Sequence, residues 1–270
     1  MLCGTFRLEP VLSQFILSKS EQFVLVAVRL KSTRLLRKAL ADVAGKPLLL
    51  RLVERVAERF PRDKIVLCTS VNPQDDGIEE FARQHGIASY RGDEQDVMAR
   101  FIGAAERFGA ATIARVTGDN PLTDPEMLTH MFERHESAGA EYSYCDDLPV
   151  GTRAEIIDVA ALRRIHGQLS DPSYSEYMTY MLRRPDKMKT LEVPAPDAAL
   201  KRPELSVTVD TEADLALVRA IHEHFAGALP SLADIIRWLD TVPALCIKVA
   251  PSPATPPDWL VCGYRDDLVH

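Results

Sequence analysis

Three stretches of this 270-residue sequence hold residues that could do chemistry together. In "TIARVTGDNPLTDP", Asp119 follows a run that reads as a strand, and in "LSVTVDTEADL", Asp210 follows another. In "FVLVAVRLKSTRLLRKALADVAGKPLL", six apolar residues, Phe23 to Val28, give way to five cations, Arg29, Lys31, Arg34, Arg37 and Lys38. Carboxylates at two strand tips opposite a cationic loop suit a metal-bound polyphosphate. Mg2+ takes one or two carboxylates and completes its shell with phosphate and water oxygens. Arginine meets phosphate with paired hydrogen bonds, lysine as a point charge. Such a site suits phosphoryl or nucleotidyl transfer, which relies on positioning and charge stabilisation. Asp119 and Asp210 are therefore candidate metal ligands, with Mg2+ the expected cofactor. Plainer readings stand beside these. Asp119 could simply start a turn next to Asn-Pro, and Asp210 could be a helix N-cap. Arg29 and Arg34 could form a solvated face, and Lys31 and Arg37 read as surface.

The chemistry requires elements that bring the three stretches to one edge. Apolar runs of strand length occur at 23–28, 64–70, 87–92, 112–119 and 141–146. Between them, residues 46–60, 73–86, 94–110 and 125–139 show helical spacing, and Asp124 is placed to cap the last of these helices. This alternation predicts an α/β fold, a mainly parallel sheet with helices on both faces. In open sheets of this kind ligands bind beyond the carboxyl ends of the strands, and all three stretches fall there. After residue 150 the pattern loosens into strands at 154–159 and 205–210 and helices at 160–169, 212–225 and 231–245. The expected organisation is an N-terminal extension over 1–21, one domain over 22–250 and a proline-rich tail over 251–270.

The bulk properties narrow the class. A net charge of −7 argues against nucleic acid or an anionic membrane as the main partner, because both need a broad cationic field. No apolar run approaches the roughly 20 residues of a membrane-spanning helix. Glu9 and Pro10 interrupt what would have to be the apolar core of a signal peptide. Cys3, Cys68, Cys145, Cys246 and Cys262 are odd in number and form no CxxC, which reads as reduced thiols rather than a disulfide framework or zinc site. The expected location is the cytoplasm. Neither GxxxxGK[ST] nor GxGxxG occurs, so P-loop and dinucleotide readings lack their fingerprints.

The order of motifs resembles a known family. "VAVRLKSTRLLRKALADVAGKPLL" is similar to the first strand and loop of sugar-activating nucleotidyltransferases, whose pattern runs Q-A-R-x-x-S-x-R-L-P-x-K-x-L and then x-G-K-P-L. "VLCTSVNPQDDGIEEFARQHGI", "YRGDEQDVMARF", "ARVTGDNPLTDPEML", "SEYMTY" and "VTVDTEADLALVRAI" continue it in order. The resemblance covers residues 22 to 250 and points to cytidylyltransferases of the spore-coat polysaccharide type, relatives of the CMP-3-deoxy-manno-octulosonate and CMP-acylneuraminate synthetases. It implies a Rossmann-like nucleotidyltransferase (GT-A-like) fold. It also implies attack of a sugar or sugar-acid oxygen on the α-phosphate of CTP, with release of pyrophosphate. By the resemblance, Arg29, Ser32, Arg34 and Lys38 belong to the triphosphate loop, with Arg29 and Lys38 catalytic beside Asp119 and Asp210. Thr69, Ser70, Arg91 and Gly92 line the base pocket, and Arg115 belongs with Asp119 to the R-x-T-G-D motif. Arg153, Glu155, Glu176 and Tyr177 fall at acceptor-facing positions.

The sequence departs from that pattern in places. Lys31 stands where the family has Gly, Leu36 where it has Pro, Arg153 where it has Asp, and Tyr177 where it has His. The last two changes fall in the acceptor half, and Arg153 suggests an acceptor with an added negative charge. Two other readings stay open. One is a nucleotide-binding protein that keeps the fold without turnover. The other is a glycosyltransferase using a nucleotide-sugar, although "YCDDLP" offers Asp146 and Asp147 adjacent rather than spaced as D-x-D. "PSYSEYMTYMLRRP" is rich in Tyr and Met, which suits either a homodimer interface or ordinary core packing.

Overall fold

The first strand, β1 (Gln22–Ala27), is apolar along almost its whole length, and successive side chains point to opposite faces. Val24 and Val26 enter one core and Phe23 and Leu25 another, so both faces of the sheet must be covered. In the computed structural model, which describes residues 21–30, 38–250, 260 and 263–265, helices do this. They are α1 (Leu48–Val56), α2 (Asp76–His85), α3 (Val97–Phe108), α4 (Pro125–Ala138), α5 (Val159–Gln168), the short α6 (Met178–Leu182), α7 (Glu212–His224) and α8 (Leu232–Thr241). Helices α1, α2 and α4 pack on the Val24 side, and α3, α5 and α6 on the Phe23 side. Helices α7 and α8 share a third core with the buried run Leu205 to Val209.

The remaining strands are β2 (Asp42–Val43), β3 (Lys46–Pro47), β4 (Ile65–Ser70), β5 (Ala88–Gly92), β6 (Thr112–Thr117), β7 (Tyr142–Tyr144), β8 (Glu155–Asp158), β9 (Thr190–Glu192), β10 (Leu205–Ser206) and β11 (Ile247–Lys248). The main sheet runs β5-β4-β1-β6-β8-β7-β9. β5, β4, β1 and β6 are parallel, as the alternation predicts. β8 is antiparallel to both β6 and β7. The inversion follows from the connection. Residues 145–154 hold no helix, and a parallel neighbour needs a crossover of about a dozen residues or more, usually through one. Its consequence is functional, because the first residue of β8, Glu155, lies on the carboxyl edge directly opposite Arg115 of β6.

Two other stretches are placed by the fold. The stretch 205–210 does not join the main sheet. Only Leu205 and Ser206 form a strand, paired with β11, which the helix-rich ending of the sequence did not suggest. Val207 to Val209 continue extended and are held by single bonds, Val207 N to Val150 O and Val209 N to Asp119 O. In the Tyr- and Met-rich stretch, Met178 and Met181 are fully buried, so those residues serve the core, while Tyr174 and Tyr177 stay exposed. No helix among the described residues is long and apolar enough to cross a membrane.

Candidate active site

The carboxyl edge of β6 and the extended 207–209 run create the centre of the site. The bond from Val209 N to Asp119 O, at 2.9 Å, brings Asp210 beside Asp119. Neither residue is spent on local structure. Thr211, not Asp210, caps α7, and it forms a capping box with Asp214. Asp119 does sit in a turn, where Thr117 Oγ1 donates to its Oδ1 at 2.5 Å, yet Oδ2 remains for another partner.

That partner is Lys38. Its Nζ donates to Asp119 Oδ2 at 2.9 Å, to Asp210 Oδ1 at 2.8 Å and to Val209 O at 2.9 Å. An ammonium group has three donors and all are used. Burial disfavours the charge on Lys38, but the two carboxylates outweigh burial and hold its pKa above the ordinary lysine value. The geometry thus has two carboxylates facing one cation position. The oxygen donors suit a hard cation such as Mg2+. No cluster of three or more His, Cys, Asp or Glu converges among the described residues. A metal between Asp119 and Asp210 would therefore complete its shell with phosphate and water oxygens, and Lys38 would have to yield.

Arg29 leaves the end of β1 and reaches across the edge. One guanidinium nitrogen donates to Glu94 O at 3.1 Å and the other pairs with Glu176 at 2.7 Å. Leu30, just beyond β1, is held by Asp75, which is fully buried. Asp75 accepts from Leu30 N at 2.7 Å and from Ser70 Oγ at 2.5 Å. Asp75 is absent from the sequence-based site, since its sequence position suggests only a helix start. Ser32 and Arg34, with Lys31 and Arg37, lie outside the described residues.

The base-pocket candidates flank β1 on its other side. Ser70 is engaged by Asp75, and Arg91 donates to Ser70 O and Asn72 O and pairs with Asp76 and Glu79. Thr69 is buried with its hydroxyl unpartnered among the described residues. Gly92 is closely packed: a Cβ would lie 3.0 Å from the Tyr90 ring and 3.2 Å from Arg100 Cα. These residues form the rim and floor of the β4–β5 edge, away from the cleft described next.

The cleft, of about 340 Å³, opens over β6, β8 and β7. Arg115, Arg153, Glu155, Glu176 and Tyr177 all line it, so the structure gathers every acceptor-side candidate, together with Arg115. Arg115 Nη1 pairs with Glu155 Oε2 at 2.6 Å and Nη2 donates to Glu176 O at 3.2 Å. Glu155 Oε1 accepts from Tyr142 at 2.5 Å and from Thr179 at 2.6 Å. Burial opposes the charge on Glu155, but Arg115 and these two hydroxyls outweigh it and hold the carboxyl below its ordinary pKa. Gly151 closes the cleft against the 207–209 run. Its φ is +95°, and a Cβ would stand 2.3 Å from Thr208 N. Arg183, Thr179 and Asp146 line the same cleft, and no local pattern singles them out for this role.

Comparison with known proteins identifies the family. The profile of the cytidylyltransferase family matches residues 23–218. The spore coat polysaccharide biosynthesis protein SpsF of Bacillus subtilis (strain 168) is 30% identical over 226 residues, 81% of this chain and 94% of that protein. A 3-deoxy-manno-octulosonate cytidylyltransferase of Geobacter sulfurreducens is 37% identical over 106 residues, 38% of this chain and 41% of its own. Among solved structures, a cytidylyltransferase from Leptospira borgpetersenii serovar Hardjo-bovis is similar with a TM-score of 0.75 at 24% identity, covering 83% of this chain and 96% of that one. A CMP:2-keto-3-deoxy-manno-octonic acid synthetase complexed with CTP is similar at 0.58 and 16% identity, covering 76% and 99%. The structural likenesses speak to the fold, which is Rossmann-like, while the profile spans most of the chain that builds the site. This chain is a nucleotidyltransferase enzyme and belongs to the cytidylyltransferase family.

Proposed function

We propose that the enzyme transfers CMP from CTP to a hydroxyl of a sugar or sugar acid, with Mg2+, for polysaccharide or glycoconjugate assembly. The observation that carries this reading is the convergence of Asp119, Asp210 and Lys38 at one point, with the Arg115–Glu155 cleft alongside. In the reaction the acceptor oxygen forms a bond to the α-phosphorus of CTP. The bond from that phosphorus to the α,β-bridging oxygen breaks, pyrophosphate leaves with its electron pair, and the hydroxyl proton passes to water. Bound between Asp119 and Asp210, Mg2+ would supply positive charge that lowers the repulsion between nucleophile and triphosphate. Lys38, freed from the carboxylates, and Arg29 stabilise the charge that builds on the pyrophosphate. Arg115, Glu155, Glu176 and Tyr177 orient the acceptor so that its hydroxyl lies in line.

The test is calorimetric binding of CTP, UTP, ATP and GTP with Mg2+ to the wild type and to Asp119→Ala, followed by pyrophosphate release with an acceptor panel. Mg2+-dependent binding of CTP alone, weakened at least about tenfold by the substitution, supports the reading. Tight CTP binding without pyrophosphate release from any acceptor would favour a nucleotide-binding protein without turnover. Failure to bind any triphosphate would remove the proposal.

A further inference from the structure

The charged side chains of the cleft are unequally satisfied. Arg115 has Glu155 at 2.6 Å, and Arg29 has Glu176 at 2.7 Å. At the far end, two arginines share one carboxylate. Arg183 holds Asp146 at 2.5 Å and lies flat over the Tyr144 ring, 3.5 Å from its centroid. Arg153 reaches the same Asp146 only at 3.9 Å, beyond hydrogen-bond length, and its Nε donates to Leu148 O at 2.6 Å. The neighbouring Asp147 is engaged elsewhere, by Lys201 at 3.2 Å and Ala195 N at 3.1 Å. The terminal nitrogens of Arg153 therefore have no hydrogen-bond acceptor among the described residues. Arg183 Nε is also buried without a partner there. Burial, more than its carboxylate neighbours can offset, holds the Arg153 pKa below the ordinary arginine value. A partly buried guanidinium with unused donors facing a cleft is suited to an anionic oxygen group.

We propose that Arg153 and Arg183 form an anion subsite that takes a carboxylate or phosphate group of the acceptor, remote from the hydroxyl that attacks. The proposal rests on the reading of this cleft as the acceptor site. Its position follows from the sheet. Asp119 lies just beyond β6 and Asp146 just beyond β7, with β8 between them, so about 10 Å separates the two ends at the usual strand spacing. That span places the anionic group several atoms from the reacting oxygen. Asp146 then acts as an internal stand-in, holding Arg183 until the anion displaces it. The tyrosines that wall the cleft, among them Tyr144 and Tyr180, suit the apolar face of a sugar ring.

The experiment uses inorganic phosphate and acetate as probes, titrated into the full chain by NMR with and without saturating Mg2+-CTP. It compares the wild type, R153Q, R153K and R183Q, with thermal unfolding and CTP affinity as checks of the fold. The expected result is an anion site that survives CTP, weakens about 10- to 100-fold in R153Q, as for loss of a charge-assisted hydrogen bond, and is partly regained in R153K. Tighter phosphate than acetate assigns a phosphate monoester, and the reverse a carboxylate. Loss of all anion binding on adding CTP, or an R153Q variant that binds as the wild type does, overturns the proposal. If CTP itself fails to bind, the functional reading fails separately, and the Arg153 dependence of phosphate binding in the nucleotide-free chain still decides. With any acceptor that is turned over, R153Q raises KM and leaves kcat nearly unchanged, and the opposite split counts against the subsite.

Discussion

Replacing Lys38 by methionine keeps an unbranched side chain, one atom shorter, and removes the charge between Asp119 and Asp210. Both carboxylates lie within hydrogen-bond reach of one nitrogen, at 2.9 and 2.8 Å. Without it, two negative charges on the order of 5 Å apart repel by about 1 kcal/mol in bulk water and about 3 kcal/mol at an effective dielectric of 20. The Asp119 side chain is 26% exposed and that of Asp210 43%, so solvent screening favours the lower part of that range. The expected loss of stability is therefore about 1–2 kcal/mol at low ionic strength, smaller in high salt, read by urea unfolding. Mg2+ should recover that loss, because the variant offers it two carboxylates with no competing ammonium group. A gain of about 1–2 kcal/mol corresponds to Mg2+ binding about 5- to 30-fold tighter than in the wild type, while turnover falls. If the variant is as stable as the wild type at low salt and Mg2+ shifts both equally, Lys38 does not hold these carboxylates and the cation position is wrongly placed.

Three other substitutions test the framework. Glu155→Gln keeps acceptors for Tyr142 and Thr179 but leaves Arg115 uncompensated, and should cost about 3–5 kcal/mol in urea unfolding. Because the folded Glu155 carboxyl lies below 4.5, its stabilising contribution is complete above that pH and is lost as pH falls below it, so the variant should flatten that part of the acid limb. His222 is buried with both ring nitrogens unpartnered among the described residues, and burial, with Arg51 and Arg55 nearby, lowers its pKa from 6.5 to about 4. Its neutral form contributes stability above pH 6.5 that is lost as pH falls toward 4. His222→Leu should thus gain about 1–2 kcal/mol on the wild type between pH 7.5 and pH 5, and equal pH profiles would contradict the assignment. Gly151→Ala sets a Cβ against Thr208 N at a φ of +95° and should cost about 2 kcal/mol or more. It should also lower activity, since the displaced 207–209 run carries Asp210; a fully active, equally stable variant would show that this close approach is dispensable.

The centre of the site was legible in the sequence because it depends on local rules. Asp119 and Asp210 follow extended apolar runs, strand ends are where ligands bind in such sheets, and Asp124 caps its helix as its position before Pro125 suggests. The pairing of Arg115 with Glu155 was not legible, although each was named for a separate role. It requires β8 to be inverted, and that depends on the connection between β7 and β8 and not on periodicity. Asp75 could not be found from its neighbours, because its partners, Leu30 N and Ser70 Oγ, are brought to it by two different strands. Asp146 was weighed only as half of a metal motif; beside Arg183 and Arg153 it is instead a counter-ion. The run 205–210 has strand composition, but only Leu205 and Ser206 form a strand, with β11, and the rest is held by isolated bonds to Val150 and Asp119, so composition overstated its place in the sheet.

These contacts also explain how an acidic chain maintains a cationic site. Lys38, Arg29 and Arg115 each have a carboxylate within the protein, respectively Asp119 with Asp210, Glu176, and Glu155. Partly buried cations left unpaired would be costly, and paired ones are held in defined positions. On the proposed reading, a triphosphate with its metal would exchange partners with Lys38 and Arg29 instead of meeting bare charge. Simple anions without a metal cannot offer the carboxylates anything in return for the lost ammonium group. On that reading, charge balance alone would favour the metal-bound nucleotide over free phosphate at the Lys38 end. Arg29 adds a link between the two halves, since its partner Glu176 also lines the cleft beside Arg115. On the proposed reading, phosphate taking Arg29 would free the Glu176 carboxylate to accept a hydrogen bond from the acceptor, which would favour binding of the nucleotide before the sugar.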